Sequence, residues 1–366
     1  MQTQKRADEN EKNKLIEFLL TRNKEQSHHF CEQSLARRQY RAKHPTEISA
    51  LKCMDGRLNL SVMANIPVGI IQPYRNIGGK FDLGWPFFGH LLTKWVKYST
   101  SKGRDCLILV TYHWSKGSRH RGCAGFGYDV KTAKKHTLDL ISDLESAFGK
   151  DHTVVYPILL GIETDDEALI LESKKGILDL SKEPIMTEDE LFNKIKFIFP
   201  DMKDRMVFDI IPLLAGNQIH IEEIRKLHRS LEEASHKEQI LAIGRGFDWL
   251  HLPNKAIIVG PYSFELGEPI TLAAKLLLEN IKSKRIPANE GVVLITSALF
   301  GDEADLDYKQ AKVKSNSLAQ FALKVIHEKV PELEKYMKSG PLIGIVSYNT
   351  RKFQQIKNSK TNFYSF

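Results

Sequence analysis

Short apolar runs recur along the chain after residue 45, and amphipathic stretches of helical length separate them. In the first half, the runs are Ile48–Leu51, Val68–Ile71, Cys106–Tyr112 and Val154–Gly161, and the stretches include Gly84–Tyr98 and Val130–Phe148. Such runs are typical of strands buried on both faces, and helices between them imply parallel pairing through right-handed crossovers. The pattern therefore predicts an α/β fold, with a mostly parallel sheet flanked by helices.

Residues 1–44 follow a different pattern. They are polar, with a sparse apolar stripe at helical spacing formed by Leu15, Phe18, Leu19 and Leu35, and Pro45 follows directly. This spacing predicts an N-terminal helical segment that ends before Pro45.

The second half of the chain repeats the first in outline. A predicted helix over Glu222–Glu233 leads to the apolar run Ile240–Ile243 and then to Gly244–Asp248. Three further runs follow in the order of their counterparts: Lys255–Tyr262, Gly291–Ala298 and Pro341–Ser347. We therefore predict two tandem domains of the same fold, the first over residues 45–200 and the second, a degenerate copy, over residues 201–366.

Composition narrows the class of protein. Apolar residues make up 42% of the 366 residues and charged residues 27%, the balance of a globular protein. No run of about 18 apolar residues occurs, so we expect no membrane span. The charged N-terminus lacks the apolar core of a secretory signal, so we expect a cytoplasmic protein. The net charge of +8 arises from lysines interspersed with acids, which favours a solvated basic surface over a nucleic-acid partner.

Two of the four cysteines stand in a chemical context. Cys53 opens the segment Cys53-Met-Asp-Gly-Arg57 directly after a predicted strand, and Cys123 closes a segment that begins at Tyr112-His113. Free thiols in a reducing compartment are frequent metal ligands, and zinc prefers thiolates and imidazoles. The residues therefore predict a catalytic zinc site with Cys53, Cys123 and one histidine as ligands and a fourth position open to solvent. No cysteine follows Cys123, so the second copy cannot repeat this site.

Two histidines compete for the third ligand position. His113 ends an apolar strand, which would present its ring rigidly, and we favour it. His120 lies three residues before Cys123 and is the alternative ligand. The histidine that does not bind zinc would act as a proton shuttle.

These segments resemble the β-type carbonic anhydrases, whose signature is Cys-x-Asp-x-Arg followed by a histidine and a second cysteine. More narrowly, the chain is similar to the carboxysome shell carbonic anhydrase group, which fuses one active and one degenerate β-type domain. The resemblance runs from about residue 44 to near residue 350. Its matching segments are Cys53–Leu58, Tyr112–His113, His120–Gly127 and Gly161–Ala168.

The resemblance implies a zinc-dependent lyase that reversibly hydrates carbon dioxide to bicarbonate by attack of a zinc-bound hydroxide. Asp55 would accept a hydrogen bond from the hydroxide, and Arg57 would hold Asp55 in a bidentate fork. It further implies that the two halves pack as a pseudo-dimer, that the protein forms a homo-oligomer, and that it resides in a carboxysome within the cytoplasm.

Two other functions fit the same residues. The zinc site would also suit hydrolysis of carbon disulfide or carbonyl sulfide, and access to the site decides between these substrates. A non-catalytic interaction protein stabilised by zinc would instead close the site with a fourth protein ligand.

Overall fold

The computed structural model describes residues 2–151, 154–230, 237–247, 250–252, 254–303, 306–337 and 340–356, with side chains from residue 14 onward except that of Pro86. The chain divides into two compact units. The first unit comprises Gln33–Ser235 with Tyr262–Phe264, and the second comprises Met1–Glu32, His236–Pro261 and Glu265–Phe366. The first unit thus extends past residue 200, the predicted end of the catalytic domain.

Strands and helices alternate through most of both units. The strands are β1 Glu47–Cys53, β2 Ile71–Asn76, β3 Cys106–Trp114, β4 Val155–Glu163, β5 Ala168–Glu172, β6 Ile177–Asp179, β7 Ile240–Gly244, β8 Ala256–Val259, β9 Val293–Phe300, β10 Leu342–Ser347 and β11 Phe353–Gln355. The α-helices are α1 Gln2–Glu32, α2 Ser34–Lys43, α3 Leu60–Met63, α4 Pro86–Ser101, α5 Val130–Phe148, α6 Glu188–Ile198, α7 Asp204–Lys226, α8 Gly267–Lys282 and α9 Leu306–Lys329.

The first unit is built on a six-stranded sheet in the order β2-β1-β3-β4-β5-β6. The first four strands run parallel, and β5 and β6 continue the sheet antiparallel. β1, β3 and β4 are almost entirely buried, and β3 and β4 are mostly apolar, which explains why these strands occupy the middle of the sheet. Side chains from α4 and α5 pack on these strands in one core that includes Leu51, Phe88, Leu92, Val110 and Leu144.

The second unit repeats this topology. Its five-stranded sheet has the order β11-β10-β9-β7-β8, with β7 to β10 parallel and β11 antiparallel to β10. Read from β8, this is the order of the first five strands of the other sheet. The helices α8 and α9 occupy the chain positions of α4 and α5. The prediction of two tandem, mostly parallel α/β copies is confirmed.

Several predicted boundaries were wrong. The strand predicted over Val68–Ile71 begins only at Ile71. Gly69 adopts a positive φ of 97°, which places the first residues of the apolar run in a turn before the strand. The predicted helix Gly84–Tyr98 starts at Pro86, a residue suited to a first helical turn. The predicted helix Glu222–Glu233 is the end of the longer α7, which stops at Lys226.

Parts of two predictions lie outside the described residues, namely Asp248 in the run Gly244–Asp248 and residues 231–233 of the predicted helix. The N-terminal segment is helical as predicted, in α1 and α2. Among the described helices, none has both the length and the apolar character needed to cross a bilayer.

Asn217 is the polar residue on which the first unit's packing depends most directly. It is fully buried on α7, accepts a hydrogen bond from the Leu169 N–H and donates to the carbonyls of Met63 and Glu167. Asn217→Ala would leave these three backbone groups without their partner, so we expect a loss of at least about 2 kcal/mol in the free energy of unfolding. Urea denaturation followed by circular dichroism measures this loss.

The matched control is Asn316→Ala. Within the described part of the chain, the Asn316 side chain donates to the Lys312 carbonyl of its own helix α9 and makes no other hydrogen bond, so its removal should cost less than about 1 kcal/mol. Equal losses in the two variants would contradict the role assigned to Asn217.

Candidate metal centre

Two neighbouring parallel strands bring Cys53 and His113 to one edge of the first sheet. β1 and β3 pair in register from Glu47 with Cys106 to Leu51 with Val110. Cys53 is the last residue of β1, and His113 is the penultimate residue of β3. Both side chains therefore stand at the carboxyl ends of the strands, where ligand sites of open parallel sheets are formed.

Cys123 reaches the same edge from the loop that follows β3. It lies between two short 3₁₀ turns, Arg119–Arg121 and Ala124–Phe126. The second turn packs so closely on the turn after β2 that a Cβ on Gly125 would lie 2.8 Å from the Gly78 nitrogen. Glycine at both positions therefore lets the segment carrying Cys123 approach the end of β1.

The three side chains form a compact ligand set. The ligand atoms of Cys53, His113 and Cys123 all lie within 4.8 Å of one another, and the two Sγ atoms are 3.9 Å apart. Two sulfurs bound to one tetrahedral zinc lie about 3.8 Å apart, so the spacing fits this metal. Both cysteines are free thiols.

His113 has the environment of a ligand rather than of a hydrogen-bonded core histidine. Its side chain is 3% exposed, and within the described part of the chain neither ring nitrogen has a hydrogen-bond partner. Buried polar groups are rarely left without a partner, so a cation between the ring and the two thiols fits the donor set. His120 is exposed, and its ring lies edge-on to Tyr128 at 5.2 Å between centroids. The structure thus brings His113, and not His120, to the two cysteines.

The two thiols differ strongly in acidity. A hydrogen bond from Cys123, followed by the positive charge of His113, holds the pKa of Cys53 well below its usual value despite burial. The same hydrogen bond, together with burial, raises the pKa of Cys123 well above its usual value. Cys123 therefore holds its proton more tightly than Cys53, and a metal bound by both sulfurs would displace that proton.

Asp55 and Arg57 form a buried ion pair beside the cluster. The Arg57 Nη2 donates to Asp55 Oδ2 at 2.9 Å, and the Arg57 backbone N–H donates to Oδ1 at 2.9 Å. Asp55 Oδ2 lies 4.0 Å from the Nδ1 of His113. The carboxylate is therefore held in one orientation next to the ligand set.

A third group of residues supports the site from the turn between β4 and β5. This segment, Glu163–Glu167, is called the acidic turn below. Asp165 accepts hydrogen bonds from the Ser115 hydroxyl at 2.9 Å, from the Gly117 N–H at 2.7 Å and from the Arg121 guanidinium at 3.3 Å. The acidic turn thus contacts the loop that joins His113 to Cys123.

Sequence reasoning assigned no role to Ser115, Arg121 or Asp165. Arg121 and Asp165 lay within segments that carried the family resemblance. A signal was nevertheless present, because the buried strand β4 ends in Glu163 and three further acids follow within four residues, at the carboxyl edge of a parallel sheet.

The Cys-x-Asp-x-Arg turn, the histidine and the second cysteine at the edge of this sheet define a site of the β-type carbonic anhydrase class. The family model of the carboxysome shell carbonic anhydrase catalytic domain matches residues 42–229, just over half of the chain. On this match, the chain belongs to the carboxysome shell carbonic anhydrase family.

Individual relatives are more distant. The carboxysome shell carbonic anhydrases of Prochlorococcus marinus strain MIT 9313 and of Prochlorococcus marinus subsp. pastoris are each 26% identical to the chain, over 253 and 254 residues. These alignments cover 59% of this chain and 48% of each relative. The protein of that name from Parasynechococcus marenigrum is 25% identical over 253 residues, covering 59% of this chain and 43% of the relative. The chain spans about half the length of the curated relatives it matches.

Metal content tests the ligand set. We expect about one zinc per chain, and we expect Cys53→Ser, Cys123→Ser and His113→Gln each to lose it, because three ligands hold the ion and each supplies one bond. His120→Gln should keep its zinc, since that ring lies outside the cluster. Elemental analysis of the purified variants gives the stoichiometry.

Cys31→Ser is the matched control, because Cys31 is exposed and far from this edge in sequence. A variant without both Cys53 and Cys123 that still bound one zinc per chain would refute the ligand set. Loss of zinc from His120→Gln, with retention in His113→Gln, would exchange the two histidines.

The acidic turn predicts a dependence of stability on pH. Burial alone would raise the pKa of Glu167, but the bond to His220 and the charge of Arg229 lower it below its ordinary 4.5. A pKa that is lower in the folded state stabilises the fold above the unfolded-state pKa, and this contribution is lost as pH falls through the folded-state pKa. The stability difference between the parent and Glu167→Gln should therefore shrink as the pH falls below about 4.5. Urea denaturation of both proteins from pH 3 to pH 7 measures it, and a difference that grew at low pH would contradict the sign.

Proposed function

We propose that this protein catalyses the reversible hydration of carbon dioxide to bicarbonate and a proton, with a zinc ion held by Cys53, His113 and Cys123. The observation that carries the proposal is the buried ligand set with the Asp55–Arg57 pair beside it. Membership of the carboxysome shell carbonic anhydrase family supports the same activity.

The number of ligands favours a catalytic over a structural metal. Among the described residues the cluster has three members, whereas structural zinc sites are closed by four protein ligands. A zinc ion in such a site supplies the Lewis acidity that makes water a nucleophile near neutral pH.

Asp55 is proposed to orient the reacting water. Its carboxylate lies beside the ligand set, with Oδ2 4.0 Å from the His113 Nδ1, and Arg57 donates to both of its oxygens. The charge-assisted fork restrains rotation of the Asp55 carboxylate. Arg57 thereby fixes the direction from which Asp55 can accept a hydrogen bond from the water.

The second domain is proposed to be metal-free. Gly244 is the last residue of β7, as Cys53 is the last residue of β1. Gly244 pairs with Ser297 of β9, and by the same register the next residue, Ala298, takes the position that His113 has on β3. Neither residue has a side chain that binds metal. The proposed organisation is a helical segment over residues 1–44, a catalytic domain over residues 45–200 and a degenerate domain over residues 201–366.

The relatives are named as carboxysome shell proteins, and we propose that this chain likewise functions in a carboxysome. Cofractionation of a tagged chain with purified shell particles tests this proposal. Recovery of the chain only in the soluble fraction, with the particles intact, would contradict it.

Stopped-flow assay of carbon dioxide hydration tests the activity. The purified zinc protein should accelerate hydration, and chelation followed by zinc addition should abolish and restore the rate, because the nucleophile depends on the metal. Carbon disulfide and carbonyl sulfide serve as parallel substrates. A zinc-loaded protein that hydrolysed these but did not hydrate carbon dioxide would overturn the proposed substrate.

Arg57→Ala tests the ion pair. Removing one partner of a buried, hydrogen-bonded charge pair costs about 2–5 kcal/mol, and if about 1.4 kcal/mol of this appears in the barrier the rate falls tenfold. We therefore expect kcat to drop by at least about tenfold while zinc content stays near one per chain, since Arg57 is not a ligand. Stopped-flow kinetics and elemental analysis on the same sample give both values.

The matched control is Arg205→Ala, which removes an arginine that is 47% exposed and lies on α7. It should leave both values unchanged. Parental turnover in Arg57→Ala would exclude a catalytic role for the pair.

A further inference from the structure

We propose that the acidic turn positions Arg57 through Arg121, so that Asp165 and Arg121 are positioning residues for the Asp55–Arg57 pair. This inference rests on the proposed function, since it assigns a role toward the same site. It concerns residues that touch neither the three metal-binding side chains nor Asp55 in the contacts described.

The first link runs from Asp165 to Arg121. Asp165 is buried, and its Oδ2 accepts from Arg121 Nη2 at 3.3 Å. The Ser115 hydroxyl lies between them, donating to Asp165 at 2.9 Å and accepting from Arg121 Nη2 at 3.2 Å. The Arg121 side chain is therefore fixed at its charged end by two neighbours.

The second link runs from Arg121 to Arg57. The Arg57 Nη2 that bonds Asp55 also donates to the backbone carbonyl of Arg121. Arg57 is therefore held between a carboxylate on one side and this carbonyl on the other. The Arg121 side chain fixes the position of this carbonyl. The carbonyl in turn fixes the orientation of the Arg57 guanidinium that bonds Asp55.

The acidic turn itself is anchored on two sides. Glu163 accepts hydrogen bonds from the Lys116, Asp165 and Asp166 N–H groups at 2.9–3.0 Å.

On the far side, three residues of α7 and the segment after it hold the turn. Arg225 donates to Asp166 at 2.9 Å, Arg229 donates to Glu167 at 2.7 Å, and His220 pairs with Glu167 at 2.7 Å. The turn is thus a rigid base for Asp165.

The charge of Asp165 is essential to this arrangement. Ser115, Gly117 and Arg121 all donate toward its carboxylate, which accepts at both oxygens. An asparagine has one accepting oxygen and an NH₂ group that would face a donor, so Asp165→Asn loses at least one of these bonds. Loss of the negative charge would also weaken the bond from Arg121, although the shape of the side chain is unchanged.

The first test measures Arg57 directly and needs neither metal nor activity. In arginine-labelled protein, the Nε–H of Arg57 should exchange slowly with solvent, and Arg57→Ala assigns its signal by NMR. Asp165→Asn should speed this exchange by at least about tenfold, because the guanidinium gains freedom to open. The matched control, Asp179→Asn, removes a carboxylate of the same unit that pairs only with Ser181 and Lys182 in the contacts described, and it should leave the exchange unchanged.

The second test asks whether Asp165 acts through Arg57. Asp165→Asn should lower kcat about tenfold or more, within the range seen for residues that orient a metal site's neighbours. Cobalt substituted for zinc should give an altered absorption spectrum in Asp165→Asn and the parental spectrum in Asp179→Asn. The double variant Asp165→Asn/Arg57→Ala should be no slower than Arg57→Ala alone, because interacting residues do not have additive effects.

Multiplicative losses in the double variant, or parental Arg57 exchange in Asp165→Asn, would overturn the inference. If Asp165→Asn fails to fold, Ser115→Ala removes the bridging hydroxyl while keeping the buried charge, and it should speed the Arg57 exchange in the same direction. A parent that neither binds zinc nor hydrates carbon dioxide would defeat the proposed function, and the exchange measurement would still decide the role of the acidic turn.

Discussion

Parallel pairing of β1 with β3 is the constraint on which the rest of the site depends. The register from Glu47–Cys106 to Leu51–Val110 brings the ends of both strands to one edge, so Cys53 and His113 meet without any flexible connection. The third ligand lies in a loop and has no such strand to fix it. Its position is set instead by a close backbone approach at Gly125 and by hydrogen bonds that Gly117 and Arg121 of the loop donate to the acidic turn.

Much of this arrangement was predictable because it follows from local pattern. Wholly apolar runs identified the central strands, and the residues that follow such runs identified Cys53 and His113 as candidates. The repeat of runs in the second half predicted a second sheet, and its strand order confirms the duplication. In these elements the side chains that specify the strand are the same ones that pack in the core, so local sequence and tertiary structure agree.

The remainder depends on contacts between distant segments, which local pattern does not encode. β2 contains Pro73 and several polar residues, and it forms a strand because it lies at the edge of the sheet and pairs with β1. The local sequence of the acidic turn predicts a solvent-exposed cluster of charged residues. Its carboxylates are instead buried or half-buried, and the partners that they contact outside the turn lie at least 44 residues away in sequence, such as Arg121 with Asp165. No spacing rule predicts such pairs.

The reach of the acidic turn has a consequence for how this sequence can be divided by recombination. Its partners extend from Ser115 to Arg229, so one set of contacts links the loop after β3 to the segment after α7. A crossover between two diverged genes inside this interval would combine the carboxylates of one parent with the arginines of the other. We therefore expect recombination inside this interval to be unfavourable, and the family match over residues 42–229 contains the whole interval. A chimaera that exchanged everything after Arg229 would keep every contact of this set.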